Sequence, residues 1–260
     1  MSIYLQTAIN SAKQAGKLIL KSYSRKIEAR IKDGISFDLV TDADINSEKT
    51  IISIIKKKFP NHSFLTEEKT VKQAEEMQSE YLWVIDPIDG TINFAHKFPF
   101  FAISIALYKN NSALLGVVYD PIKKEMFHAE KSKGAFLNNK KISVSKTNSL
   151  NKSLLATGFF HSIKFKTAEK FLSIPIHYLA NFGSAALELS YIAAGRLDGY
   201  WELRLKPWDY AAGVLIVTEA GGKITDLKGN NFDLLTGNVL ASNGKLHDEM
   251  LKIIDKKFYK

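Results

Sequence analysis

The residues best suited to chemistry lie in one hexapeptide after an apolar run, Asp86-Pro87-Ile88-Asp89-Gly90-Thr91. In a continuous strand, side chains three positions apart point to opposite faces, but Pro87 and Gly90 favour a turn that brings both carboxylates together. Two such charges about 4 Å apart repel by about 4 kcal/mol at an effective dielectric of 20. A divalent cation relieves this repulsion, and carboxylate oxygens suit Mg²⁺, Mn²⁺ or Ca²⁺ better than zinc. We interpret the hexapeptide as a metal site, although Asp-Pro and Asp-Gly are singly common turns.

Two further acidic segments are weaker signals on their own. Glu67-Glu68 follows a possible short strand at Ser63–Leu65, and such pairs are usually solvated surface. Asp209 stands in the first turn of a predicted helix after Pro207. The helix dipole stabilises an acid there by about 0.3–1 kcal/mol, which explains Asp209 without a functional role. The small residues that follow, Ala211-Ala212-Gly213, allow a close approach by a ligand or by another backbone segment.

The segments before the hexapeptide predict two helices. Apolar residues three and four apart between Leu5 and Ile19 form one stripe of a first helix. Thr41 or Asp42 can cap a second helix that Pro60 stops. The polar segment Lys32–Phe37 between them is predicted to be an exposed loop.

The remaining segments predict a β-rich middle and then alternating strands and helices. The predicted strands are Tyr81–Ile85, Ala102–Tyr108, Leu114–Tyr119, Lys124–Ala129, Ala135–Leu137, Leu154–Thr157, Leu197–Glu202 and Val239–Ser242. The predicted helices of this part are Ala185–Ile192, Trp208–Ala220 and an amphipathic C-terminal helix. This order predicts a layered α+β fold with two sheets.

Composition excludes several classes of protein. The chain has 260 residues and no cysteine, so disulfides and thiolate chemistry are absent. It has no apolar run of about 20 residues, and we expect a cytoplasmic protein that does not enter a membrane. The net charge is +9, but 32 lysines against 4 arginines favour a solvated basic surface over a dedicated nucleic-acid site, which stays open. Serine and histidine form no recognisable motif for covalent catalysis.

Several blocks together resemble the inositol monophosphatase family. They are Asp38-Leu39-Val40-Thr41, Glu67-Glu68, Asp86 to Phe94, Trp208 to Gly213, and Thr218 to Gly222. The resemblance implies the αβαβα sandwich that this family shares with fructose-1,6-bisphosphatases. It also implies a single domain over residues 1–260, made of two packed halves of roughly 1–150 and 151–260, and usually a homodimer.

The resemblance also assigns roles to residues. The implied ligands for two or three Mg²⁺ ions are Glu67, Asp86, Asp89, Asp209 and the carbonyl of Ile88. The implied catalytic residues, which orient and activate a water molecule, are Glu67, Thr91 and Asp44; Asp42 is the alternative to Asp44, which we favour because it stands three residues after Thr41. The implied substrate contacts are Asp89, Gly90, Thr91, Gly183, Ser184, Ala185, Glu202 and Asp209, with Gly90 and Thr91 on the phosphate and Gly183 to Ala185 and Glu202 on the alcohol.

The implied activity is that of a Mg²⁺-dependent, lithium-sensitive phosphatase acting on a small phosphate monoester. Asn93-Phe94 favours inositol monophosphate, because relatives that cleave 3′-phosphoadenosine 5′-phosphate tend to have an acid at the position of Asn93. Fructose bisphosphate, histidinol phosphate and nucleotide monophosphates stay open as substrates. The alternative from a different class is a regulatory binding protein, since some bacterial relatives act in transcription or RNA-processing assemblies.

Overall fold

The chain folds into five alternating layers of helices and sheets. The computed structural model describes residues 1–32, 35–68, 79–158 and 176–258, and its helices and strands are numbered in chain order. Two helices cover a seven-stranded sheet, two more helices separate that sheet from a five-stranded sheet, and a C-terminal helix covers the far side. None of the helices in these ranges is long and apolar enough to cross a membrane.

The outer helical layer consists of α1 (Ile3–Tyr23) and α2 (Asp42–Lys58). Helix α1 buries the predicted stripe from Leu5 to Ile19. Helix α2 begins at Thr41, whose backbone N–H donates to Asp44 Oδ2 at 2.8 Å in a capping box. Both helices end in solvent with lysine side chains in the last turn, where the helix dipole favours positive charge.

The prediction of an exposed loop at Lys32–Phe37 is wrong. Strands β1 (Ala29–Lys32) and β2 (Ile35–Thr41) form an antiparallel hairpin, with residues 33–34 outside the described ranges. The strands do alternate apolar and polar residues, with Ala29 and Ile31 in β1 and Ile35, Phe37 and Leu39 in β2, but the polar residues around Gly34 favoured a loop. Among the described strands, β1 and β2 pair only with each other.

The first sheet follows the order of the sequence. Its strands are β3 (Ser63–Thr66), β4 (Tyr81–Asp89), β5 (Ala102–Lys109), β6 (Ser112–Asp120), β7 (Glu125–Glu130), β8 (Ala135–Leu137) and β9 (Lys140–Lys141). Only β3 and β4 are parallel, and the other neighbours are antiparallel. A hairpin joins β5 and β6, with Asn110 and Asn111 at φ values of 47° and 61°.

Strand β4 does not end at Ile85 as the breakers Pro87 and Gly90 suggested. It continues to Asp89 with a bulge, because Asp86 pairs with Ser104 and Asp89 pairs with Ala102. Three steps along β4 therefore match two steps along β5, and this extra residue cancels the alternation that would put Asp86 and Asp89 on opposite faces. The Asp86 and Asp89 carboxylates are therefore brought together by a bulge and not by the turn that the sequence predicted.

The second half supplies the inner helices and the second sheet. After a 3₁₀ turn at Leu150–Lys152, its strands are β10 (Leu154–Thr157), β11 (Tyr178–Ala180), β12 (Gly199–Glu202), β13 (Lys223–Thr225) and β14 (Val239–Ser242), in the spatial order β11-β10-β12-β14-β13. Its helices are α4 (Ala185–Ala193), α5 (Pro207–Glu219) and α6 (His247–Phe258), and a short α3 (Thr91–Ala95) follows β4. A separate hydrophobic cluster fills each of three interfaces between layers.

Helix α5 lies unusually close to the first sheet. A Cβ atom at Gly116 of β6 would stand 2.5 Å from the carbonyl oxygen of Ala212, so no side chain fits between strand and helix. The apolar residues on all sides of α5, such as Leu215 and Ile216, are buried in the cluster between the sheets. This contact brings the start of α5, with Asp209, to the bulged end of β4. The division into halves at about residue 150 stays a prediction.

Candidate functional site

Three carboxylates from distant parts of the chain meet at one point. Asp86, Asp89 and Asp209 each offer an oxygen, and these oxygens all lie within 4.8 Å of one another. Asp86 and Asp89 come from the bulge of β4, and Asp209 is the third residue of α5. The arrangement has the size and donor type of a site for a hard divalent cation.

Each of these carboxylates is held by hydrogen bonds from its surroundings. Asp86 Oδ1 accepts from the N–H of Ile88 at 2.9 Å, and Asp209 Oδ2 accepts from the N–H of Lys206 at 2.7 Å. Asp89 Oδ2 accepts from the N–H of Ala186 at 2.8 Å and from the Ser184 hydroxyl. These donors fix the direction of the carboxyl groups before any ligand binds.

Burial and mutual repulsion make the cluster unfavourable when it is fully ionised. Burial first, and then the charges of Glu67, Asp89 and Asp209, raise the pKa of Asp86 well above its ordinary range. The pKa of Asp209 is raised for the same reasons. Burial raises the pKa of Asp89 to about 6, although its donors Ser184 and Ala186 oppose the shift.

The described lining of the surrounding cavity supplies no positive charge of its own. It has a volume of about 390 Å³, and none of its lining residues in the described ranges is lysine, arginine or histidine. Buried charges need a partner. Since the donors are all oxygen, the residues present fit Mg²⁺, Mn²⁺ or Ca²⁺.

Glu67 and Ile88, the other two predicted ligands, lie at the same cavity. Glu67 directly follows β3, where its N–H donates to the carbonyl of Ile85 at 3.3 Å. The carbonyl of Ile88 accepts the Thr91 hydroxyl at 2.9 Å. The structure thus brings together all five positions that the resemblance assigned to a metal.

Asp44, rather than Asp42, stands beside Thr91. Asp44 is fully buried, and its Oδ1 lies 3.3 Å from the Thr91 hydroxyl oxygen. Burial raises the pKa of Asp44 to about 6 against the opposing hydrogen bonds from Thr41. Asp42 is exposed and pairs with Arg30 at 2.6 Å, so it does not face the cavity.

The predicted alcohol contacts line the same cavity, beside the carboxylate cluster. Gly183, Ser184 and Ala185 line the cavity just before α4, and Glu202 lines it from the end of β12. The carboxylate of Glu202 accepts the Tyr200 hydroxyl and packs directly on Gly158, where no Cβ would fit. Burial raises the pKa of Glu202 to about 7.

The sequence did not indicate three polar residues that shape this part of the cavity. Asn93, Glu188 and Tyr200 hydrogen-bond to backbone or side chains of the cavity. A signal existed for Glu188, because it is the one acid in an otherwise apolar helix segment. For Asn93, the sequence suggested only a branch of related enzymes.

Three comparisons agree on the family and the fold. The model of the inositol monophosphatase family matches residues 1–257. An inositol-1-monophosphatase of Synechocystis sp. is 41% identical over 96% of this chain and 88% of its own length, and the Nus factor SuhB of Haemophilus influenzae is 42% identical over 98% and 96%. The solved structure of Thermotoga maritima IMPase TM1415 has a TM-score of 0.91 at 35% identity and covers 99% of both chains. The predicted layered α+β sandwich is confirmed.

The carboxylate repulsion predicts that Asp209→Asn stabilises the metal-free protein. In EDTA at pH 7.5, we expect the free energy of unfolding to rise by about 1–3 kcal/mol, the equivalent of one or two pKa units of relieved interaction. Because the folded pKa of Asp89 is raised to about 6, metal-free stability should be highest below about pH 4 and fall as pH rises through 6. In Asp209→Asn, the free energy of unfolding should fall less steeply with pH. Urea unfolding at several pH values measures this free energy.

The matched control is Asp233→Asn, which neutralises an exposed aspartate outside the cluster. It should leave the pH dependence unchanged. MgCl₂ should raise the melting temperature of the unmodified protein and of the control. The increase should be much smaller for Asp209→Asn. A metal-free Asp209→Asn protein that is less stable than the unmodified one would contradict this electrostatic account.

Proposed function

We propose, since this chain belongs to the inositol monophosphatase family and is a phosphoric monoester hydrolase, that it hydrolyses a polyol monophosphate such as inositol monophosphate with the help of Mg²⁺. The observation that supports this most is the buried carboxylate cluster, which shares one cavity with the residues expected to contact hydroxyls, Gly183, Ser184, Ala185 and Glu202. A phosphate monoester of a polyol presents the two complementary chemistries, a dianion that needs cations and hydroxyls that need acceptors.

Glu67, Asp86, Asp89, Asp209 and the carbonyl of Ile88 would hold the Mg²⁺ ions, of which we expect two or three. When bound, the ions supply the positive charge that the cavity lining lacks and offset the charge that develops on the phosphoryl oxygens and the leaving alkoxide. The backbone of Gly90 and Thr91, at the same cavity, would donate to the phosphate.

Thr91 is suited to orient the attacking water. Its hydroxyl has one proton and two acceptors, the Ile88 carbonyl at 2.9 Å and Asp44 Oδ1 at 3.3 Å. Donation to Asp44 leaves lone pairs of the Thr91 oxygen free to accept a proton of the water. Glu67 offers a second acceptor from the same side of the cavity. No covalent intermediate with the protein is needed.

The charge of the cavity favours a substrate with a single phosphate. A second phosphate would meet Glu202, Asp89 or Asp209 without a described lysine or arginine of the lining to balance it. A neutral polyol instead offers hydroxyls that Glu202 can accept from. This argument favours inositol monophosphate over bisphosphate nucleotides and fructose bisphosphate. We also propose the homodimer and the lithium sensitivity that the family resemblance implies.

A substrate panel tests the proposal. With MgCl₂, we expect turnover of inositol monophosphate and, more slowly, of an aryl phosphate, with weak turnover of bisphosphate nucleotides. EDTA should abolish activity, since the carboxylate cluster then lacks its cations, and LiCl should inhibit more than KCl at equal ionic strength. Phosphate release is the measurement. Full activity in EDTA, or a clear preference for bisphosphate nucleotides, would refute the proposal.

Glu202→Gln should reduce selectivity for the alcohol rather than the chemistry. A charge-assisted hydrogen bond contributes about 1.5–3 kcal/mol, so kcat/KM for inositol monophosphate should fall at least about ten-fold. An aryl phosphate has no hydroxyls to recognise and should lose less than about three-fold in kcat/KM. Equal losses on both substrates would instead place Glu202 in the hydrolytic machinery, and no loss on either would remove it from the site.

A second candidate function is binding to nucleic acid, and the charge of the outer helical layer favours it. Helix α1 contains no acidic residue, and the only exposed acid of α2 is Asp42, which pairs with Arg30. Seven lysines of these two helices are exposed: Lys13, Lys17, Lys21, Lys49, Lys56, Lys57 and Lys58. We name this set the lysine face. Lys13, Lys17 and Lys21 stand one turn apart, about 6 Å each along the axis.

A groove on this face fits a phosphate backbone. It lies between α1 and α2, has a volume of about 490 Å³, and is lined by Lys21 and Lys49 together with serine, threonine and asparagine side chains. Its described lining contains no acidic or aromatic residue, so it suits phosphate contacts without base stacking. The similarity to a protein named Nus factor SuhB is consistent with such a role beside hydrolysis.

Replacing Lys13, Lys17 and Lys21 together by glutamine tests the lysine face. If all three contact phosphates of single-stranded RNA, the slope of log K against log salt should become shallower by about 2, since each contact contributes about 0.7. The slope is measured by fluorescence anisotropy of a labelled RNA between about 50 and 200 mM salt. Counterion release changes the affinity strongly in this range. The matched control replaces three exposed lysines outside the face, Lys140, Lys141 and Lys152. Equal effects of both triple variants would mean general charge attraction only.

A further inference from the structure

The backbone of Phe182 is fixed by side chains on both of its polar groups. Its carbonyl oxygen accepts from Asn93 Nδ2 at 2.7 Å, and its N–H donates to Glu188 Oε1 at 3.2 Å. Glu188 is 1% exposed, so this second partner is shielded from water. Such double fixation of one loop residue is distinctive, because side chains from two different helices, α3 and α4, provide it.

Asn93 also joins a second segment of the cavity. The same Nδ2 atom donates to the carbonyl of Phe100 at 2.8 Å and lies 3.4 Å from the carbonyl oxygen of Gly183. The rings of Phe100 and Phe182 stack 5.2 Å apart beside these bonds. One amide group therefore ties the segment before β5 to the segment before α4.

These segments pack tightly around two glycines, Gly90 and Gly183, which leave little room for a side chain. A Cβ atom on Gly90, at φ +93°, would stand 3.0 Å from the carbonyl oxygen of Gly183 and 3.1 Å from that of Phe100. A Cβ atom on Gly183, at φ +78°, would stand 3.1 Å from Asn93 Nδ2. Both glycines have left-handed backbone that other residues rarely adopt. Carbonyl oxygens crowd here, and the Asn93 amide is the donor that neutralises them.

This crowded contact lies between the two functional walls of the cavity. Gly90 belongs to the phosphate wall, and Gly183, Ser184 and Ala185 belong to the alcohol wall. Ser184 and Ala186 also donate to Asp89, so the position of the loop is linked to the carboxylate cluster. A shift of the loop would therefore change the distance between the site of the phosphate and the site of the alcohol.

We propose that Asn93 is a positioning residue for substrate selection: its amide donates to the carbonyls of Phe100 and Phe182 and thereby holds the Gly183–Ala185 wall at the distance that a polyol monophosphate requires. This inference rests on the proposed function, because it takes that wall to contact the alcohol. Asn93 acts through the loop and does not touch the reacting atoms. Glu188 assists it by holding the other side of Phe182.

The chemistry of the donor distinguishes this role from space filling. Asn93→Asp keeps the shape but replaces the donor by a carboxylate that faces carbonyl oxygens, so it repels the loop. Asn93→Ala leaves those carbonyls to water and does not repel them. A donor role therefore predicts that aspartate is worse than alanine, whereas space filling predicts that aspartate is better.

Two measurements test the inference. The first is hydrogen exchange of the backbone amides in residues 181–188, with and without MgCl₂, which needs no substrate. We expect exchange to accelerate about ten-fold or more in Asn93→Ala, since two hydrogen bonds of about 1 kcal/mol each are lost, and more in Asn93→Asp. The matched control is Asn181→Asp, which adds the same charge to the same cavity. It should accelerate exchange less than Asn93→Asp.

The second measurement separates KM from kcat on two substrates. For inositol monophosphate, KM should rise about ten-fold in Asn93→Ala and further in Asn93→Asp, with kcat within about three-fold. For an aryl phosphate, which has no hydroxyls for the alcohol wall to bind, KM should stay within about three-fold. Slow exchange in Asn93→Asp, or an aspartate variant that performs better than alanine, overturns the positioning role.

The two proposals fail in distinguishable ways. If the unmodified protein cleaves only the aryl phosphate, the polyol substrate is refuted, and with it the selection role of Asn93, whatever the exchange data show. If the unmodified protein cleaves inositol monophosphate and Asn93→Asp retains its KM, the proposed function stands and the inference about Asn93 is wrong.

Discussion

Repulsion among buried carboxylates is the interaction on which the rest of this structure depends. Asp86, Asp89 and Asp209 place oxygens within 4.8 Å of one another, beside Glu67, in a cavity whose described lining has no basic residue. Such a cluster costs stability in the absence of a cation, because each charge is both desolvated and repelled by its neighbours. Its presence makes sense only if something positive binds there. Relief of this repulsion therefore contributes to the free energy with which the protein binds a cation.

The fold opposes that repulsion with contacts that cannot easily relax. A bulge in β4 puts Asp86 and Asp89 on one side, and the contact between Gly116 and Ala212 brings Asp209 to them. The Ser184 hydroxyl and the N–H of Ala186 hold Asp89, and the Asn93 amide holds the loop that carries Ser184. The Gly183–Ala185 wall is therefore attached to the carboxylate cluster. Precise placement of both explains why so many hydrogen bonds converge on a few loop residues.

Much of the site could be predicted from the sequence, because its ligands stand in short, local motifs. The segment from Asp86 to Thr91 and the helix start at Asp209 carry their own structural signals, and strands such as Ala102–Tyr108 follow from periodicity. The hairpin of β1 and β2 was missed although its strands alternate apolar and polar residues, because the polar residues around Gly34 favoured a loop. The sequence favoured Asp44 over Asp42 from its spacing after Thr41, and the first turn of α2 places Asp44 beside Thr91 and Asp42 beside Arg30. The role of Asn93 depends on the approach of segments about 90 residues apart, which no local motif reports.

Calorimetric titration of Mg²⁺ into the metal-free protein tests the central claim most directly. The titration should be repeated at pH 6.5 in two buffers with different heats of protonation. If a cation relieves the repulsion among the carboxylates, binding should saturate and release protons from groups whose pKa is raised, such as Asp89 at about 6. The measured heat should then differ between the buffers, and the difference should shrink at pH 8. Binding heats that are equal in both buffers at pH 6.5, or the absence of saturable binding, would contradict the account.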